Sequence, residues 1–189
     1  MKPGDRIMTE PEVTELADLG PMRAEIGNCI AAFSAVESML SLLYANLMHP
    51  APRELCFLTL DEARHIETKC RIIKAVGVNV LSAEDLPTFT NIMKRVQHKA
   101  AVRHKIAHWH VGHWHKNQPV STAKEISQME PRLMPAYYSA KNLDFTPDET
   151  MVISDLKDFA AGSGKLANDI LEFASRIPSP ETAATQRTR

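Results

Sequence analysis

The apolar positions of this 189-residue chain fall into runs stepped by three and four, the spacing that lines one face of an α-helix. From Pro21 to His49 the stripe is Ile26, Ile30, Phe33, Val36 or Glu37, Leu40, Leu43 and Leu47. It predicts one long helix ended by Pro50 and Pro52. A short apolar piece comes next around Leu55 to Leu60, and Ala63, Ile66, Cys70 and Ile73 predict a second, more polar helix that stops near Gly77. Ser82-Ala83-Glu84-Asp85 reads as a helix start with acidic groups in the first turn, and Pro87 can shift that start by a turn. The next stripe is Leu86, Phe89, Met93, Val96, Ala100, Arg103 and Ala107. It places a permanently charged guanidinium where the series calls for an apolar side chain.

After Trp109 the period changes. Residues His110 to His115 alternate as an extended segment does, and Pro119, Pro131 and Pro135 break up the chain beyond them, so an irregular or hairpin-like excursion is expected to about Leu143. Thr146-Pro147-Asp148-Glu149 reads as a capping box with Pro at the first helical position, opening a long last helix. Its stripe is Val152, Leu156, Phe159, Ser163, Leu166, Ile170, Phe173 and Ile177, kept up despite Gly162 and Gly164, and Pro178 and Pro180 end it. The fold class expected is all-α, a four- to five-helix up-down bundle with a short irregular or hairpin-like insertion before the last helix. Residues 1–20 read as an N-terminal arm, 21–177 as a single helical domain and 178–189 as a disordered polar tail.

Composition narrows the function classes. With 44% hydrophobic and 24% charged residues the chain is of the ordinary globular kind. Its net charge of -1 gives no global attraction to nucleic acid, so any RNA contact must come from a local patch. One basic run exists, Lys94, Arg95, Lys99, Arg103 and Lys105, which also fits a solvated helix face. Cys29, Cys56 and Cys70 have no C-x-x-C spacing, which suits a reducing compartment and points to a cytoplasmic protein. No secretory start and no apolar run near the ~18 residues of a membrane span are expected, so no membrane association either. There is no Gly-rich phosphate loop and no 20 to 50 residue repeat.

Chemistry concentrates in Arg103-His104-Lys105-Ile106-Ala107-His108. Taking Arg103 as the reference on a helix, Ala107 lies at about 40°, His104 at about 100° and His108 at about 140°. The three polar groups share one arc with only a small Ala between them, which leaves room for a phosphate. A histidine can take a 2'-hydroxyl proton or protonate a leaving 5'-oxygen, since its reference pKa is about 6.5. An arginine binds phosphate bidentately and stabilises the charge of the pentacoordinate transition state. The competing structural reading buries Arg103 as an ion pair with Glu37 of the first helix, a carboxylate that could also orient the guanidinium. His104 and His108 at i, i+4 could alternatively chelate a metal. However, no Glu follows the first His as in H-E-x-x-H and no Cys or Asp completes a set nearby, so neither metal nor cofactor is expected.

These residues resemble the HEPN superfamily, in which Arg, a polar residue, a few variable positions and His end a long helix. Phe33 to Leu40 looks like the phenylalanine-x-x-x-glutamate stretch of its opening helix, and Ile106-Ala107-His108 like its usual ending. The likeness spans Ile26 to Ile177. It implies a helical bundle dimerising along the motif-bearing helix and a metal-independent endoribonuclease, with Arg103, His108 and His104 catalytic and Glu37 supporting. Two motifs across a two-fold axis would complete the acid and base set. Lys99, Lys105, Trp109 and His110 would be RNA contacts. Homodimer and RNA are the partners implied, in a toxin or phage-defence setting in which an antitoxin protein is a further partner. His104 and Trp109 depart from the common Asn and Gly, and His110 replaces the Tyr of the branch silenced by a nucleotidyltransferase. The alternative is a catalytically silent helical dimer that binds RNA, a nucleotide or a protein partner.

Overall fold

A computed structural model describes residues 18–113, 130–135 and 150–177. Among them are five helices, α1 (Gly20–Leu47), α2 (Arg53–Asp61), α3 (Ile66–Val80), α4 (Leu86–His108) and α5 (Ile153–Arg176). A small two-stranded sheet of β1 (His110–His113) and β2 (Pro131–Met134) precedes the last helix. The chain is thus mostly helical, as an all-α bundle requires, with a hairpin-like insertion where the period of the sequence changes. The N-terminal arm to residue 17, the Thr146 to Glu149 capping box and the C-terminal tail lie outside the described residues.

The chain divides into two compact units, residues 1–27 with 105–157, and residues 28–104 with 158–189. In the second unit the stripes read from the sequence form the core. Phe33, Val36, Leu40 and Leu43 of α1, Phe89, Met93, Val96 and Ala100 of α4, and Phe159, Leu166, Ile170 and Phe173 of α5 are all buried. At the position left open between Val36 and Glu37, Val36 takes the core and Glu37 stays half-buried. Helices α3 and α4 run antiparallel, since Lys74 reaches Gln97 at 2.8 Å while Gly77 faces Phe89. Helices α4 and α5 do the same: Phe89 stacks on Phe173 at 6.2 Å between ring centroids, and ten residues on Lys99 meets Phe159. Asn46, buried at the end of α1, donates to the Ala174 carbonyl at 2.9 Å and accepts from Arg53 at 3.3 Å, so a polar group in the core is satisfied from both sides.

Three boundaries differ from the sequence reading, each for a local reason. Gly77 does not stop α3, which continues to Val80: a Cβ at 77 would stand 2.4 Å from the Phe89 ring, so glycine is there to admit the aromatic, not to break the helix. The piece at Leu55 to Leu60 is a helix of its own, α2, entered from extended Pro52. The last helix begins at Ile153 rather than near Thr146, because Met151 is held in an extended bridge to Leu133 by bonds of 2.8 and 2.9 Å. Its first turn is capped by Asp155, whose carboxylate accepts the Val152 N–H at 2.9 Å.

In the first unit, β1 and β2 pair antiparallel, with Val111 opposite Leu133 and Gly112 opposite Arg132. Leu133 and Met134 are buried, and Arg132 spans Thr150 at 2.9 Å and Glu130 at 3.2 Å. One helix, α1, carries a window of mean hydropathy 1.5 and is long and apolar enough to cross a membrane by length and composition. Serines interrupt its apolar series, so no unbroken run of that length marks it in the sequence. Ser34, Ser38 and Ser41 turn their hydroxyls back onto carbonyls four residues earlier in the same helix.

Candidate functional site

The sequence motif occupies the last turn and a half of α4, a helix unbroken from Leu86 to His108. Ile106 is the position in this stretch that enters the core. Arg103 is half-buried, while His104, Ala107 and His108 are exposed, so the arc read from the sequence faces outward with the small Ala107 leaving it open. His104 and His108 are one turn apart, about 6 Å along the helix axis. Lys105 puts a positive charge in the last turn of the helix, the end where the backbone dipole favours it.

Arg103 and Glu37 do not form an ion pair, and Arg103 meets no carboxylate within ion-pair distance among the described residues. Glu37 lies instead near Cys70. Burial pushes the Cys70 thiol up to about 11, Lys74 opposes this, and Glu67 and Glu37 add to it. The structural pairing that would have explained a guanidinium on an apolar stripe is thus missing.

The expected RNA contacts fall into two groups. Lys105 extends over the Trp109 ring, 5.3 Å from its centroid, and the Trp109 N–H closes one more helical bond onto the Lys105 carbonyl at 2.9 Å. One face of that indole is therefore covered by its own lysine. His110 opens β1, paired with Met134. Lys99 is turned inward: its ammonium donates to the Phe159 carbonyl at 3.1 Å and sits 4.5 Å from the Phe159 ring centroid. Burial lowers its pKa, and neighbouring Arg95 adds to the lowering, while Cys29 and Asp158 oppose it. Among the described residues no three His, Cys, Asp or Glu side chains are placed to share a metal ion, and the three cysteines are buried and form no disulfide.

Sequence reasoning missed a groove of about 400 Å³ between α4 and α5, lined by Lys94, Arg95, His98, Lys99, Gly162 and Lys165 with Leu166. The basic run gave the α4 half of it; nothing along the chain announces that Lys165 joins from α5. Arg95, Lys99 and Arg103, at i, i+4 and i+8, follow one stripe of α4 from this groove to the motif.

Compared with family models, with curated proteins and with solved structures, the chain matches none.

Proposed function

We propose that this chain is a HEPN-like, metal-independent endoribonuclease of the cytoplasm that acts as a homodimer, with Arg103, His104 and His108 as its reactive set. The observation that carries the reading is Arg103: a half-buried guanidinium on an apolar stripe, without a carboxylate partner among the described residues, beside two exposed histidines one turn apart. Holding such a charge away from water is costly unless an anion completes it. A phosphodiester would do so bidentately.

In the reaction one histidine takes the proton of a 2'-hydroxyl and the 2'-oxygen attacks phosphorus. The bond from phosphorus to the 5'-oxygen breaks, and a second histidine protonates that oxygen. The products are a 2',3'-cyclic phosphate and a free 5'-hydroxyl, with Arg103 neutralising charge on the phosphoryl oxygens in between. The toxin or phage-defence setting rests on the family resemblance alone. The test is RNA cleavage in excess EDTA by the wild type, lost in His108→Ala and Arg103→Ala proteins that keep their helical circular dichroism and their dimeric mass in light scattering. Binding without turnover by all three would instead favour the silent binding module.

A further inference from the structure

We infer that the groove between α4 and α5 is a phosphate-binding subsite, separate from the reactive set, that takes the phosphate of a nucleotide, whether free or part of an RNA strand. Lys94, Arg95, His98 and Lys99 occupy adjacent positions on one side of α4, and Lys165 faces them from α5 across about 400 Å³ of space, with no carboxylate among the lining residues. Asp169 is drawn off to one end, where it pairs with Arg95 at 2.7 Å, and Asp158 acts on Lys99 from outside the lining. Arg95 and Asp169 also line the neighbouring cavity, whose further charges Glu172 and Arg176 are mixed, so the bridge closes the basic compartment at that end.

Two details argue that this is more than a solvated helix face. Lys99 is half-buried beneath the groove with its ammonium held by a carbonyl and a ring, and it forms no ion pair among the described residues, Asp158 acting on it from beyond that distance. Its low-dielectric position makes an incoming anion more strongly attracted than it would be by a surface lysine. Gly162 is what admits it: a Cβ there would stand 2.7 Å from the Lys99 nitrogen. Lys94, His98 and Lys165 are exposed and have no hydrogen-bonded or ionic partner among the described residues, so their donors are open to a ligand. Leu166 and the lysine stems give the groove an apolar floor as well, and its volume is that of a small-ligand site.

The choice of an RNA strand as source rests on the ribonuclease reading; the phosphate site itself does not. The probes are a fluorescent 12-nucleotide 2'-O-methyl RNA, which cannot be cut through its 2'-oxygen, and radiolabelled AMP, both in EDTA. Each is titrated into wild type and Lys94→Ala/Lys165→Ala. Weakening of RNA binding about tenfold or more in the double variant, with the salt slope reduced by about 1.4 for two lost contacts to a single strand, supports the site with a strand as its source. Saturable AMP binding that the double variant loses, with RNA affinity unchanged, supports it with free nucleotide as the source. Affinity for both probes independent of the two lysines, or no binding of either, overturns it. With unmodified RNA in EDTA alongside, cleavage absent while the lysine dependence of binding is intact would sink the ribonuclease reading alone, and cleavage present without that dependence would sink the groove alone.

Discussion

Replacing Gly162 by alanine sets two effects of opposite sign against each other. In a helix interior the change should stabilise by ~1 kcal/mol, because alanine has less backbone freedom to lose. The new Cβ, however, would stand 2.7 Å from the Lys99 nitrogen and 3.3 Å from its Cε, so the flexible end of that lysine must leave. Its departure breaks the 3.1 Å bond to the Phe159 carbonyl and the contact with the Phe159 ring. A hydrogen bond from a charged donor contributes ~1.5–3 kcal/mol and a cation over a ring ~0.5–1 kcal/mol. The Phe159 carbonyl keeps the Ser163 hydroxyl at 2.8 Å, and the freed ammonium can rehydrate, so the loss sits near the lower end. Gly162→Ala should therefore destabilise by about 1 kcal/mol net. In a Lys99→Ala background the clash is gone and the same change should stabilise by ~1 kcal/mol. Gly164→Ala, with nothing within 4 Å of its added Cβ, should stabilise in both. Urea unfolding followed by circular dichroism reads all these proteins as a double-mutant cycle. If Gly162→Ala shifts stability by the same amount and sign with and without Lys99, the argument that Gly162 exists to seat that lysine is wrong.

The core supplies further expectations. Gly77→Ala drives a methyl into the Phe89 ring, both buried, and should cost about 1–3 kcal/mol by overpacking, with part of the loss recovered by adding Phe89→Leu; a stabilised single variant would contradict the α3–α4 contact. The buried thiols of Cys29, Cys56 and Cys70 should resist a thiol reagent in the native protein and all react in urea, and fast native labelling of any of them would contradict their placement. Cys70 ionises near 9.0 in an unfolded chain and at about 11 when folded, so between those values the unfolded state has released more protons and stability falls as pH rises. Cys70→Ala should flatten the decline of Tm over that window, and an unchanged slope would remove the thiol as its cause.

The long helices were legible because their apolar stripes run for many turns. In α5, Leu156, Phe159, Ser163, Leu166, Ile170 and Phe173 are all buried as spaced, and even Ser163 fits, its hydroxyl satisfied within its own helix. What the spacing could not convey was the identity of the neighbour. Gly77 looks like a helix stop until Phe89 is seen against it, and Met151 looks like helix until it pairs with Leu133. The candidate site divides in the same way. The arc of Arg103, His104 and His108 follows from the pitch of one helix, so the sequence was enough to draw it. The pairing of Arg103 with Glu37 required knowing how two helices face each other, and it does not form. Lys165 lies some seventy residues beyond Lys94, so the groove they share exists only once α4 and α5 lie side by side. The same packing leaves Lys99 half-buried, which the spacing along α4 alone does not convey.

Whether Arg103, His104 and His108 cut RNA without a metal is decided by end-group analysis. Purified wild type and His108→Ala would be incubated with labelled RNA in excess EDTA and the new 3'-ends identified. The wild type should leave 2',3'-cyclic phosphate ends, and His108→Ala should leave the RNA intact. Intact RNA with both, or equal cleavage by both, would contradict the ribonuclease reading.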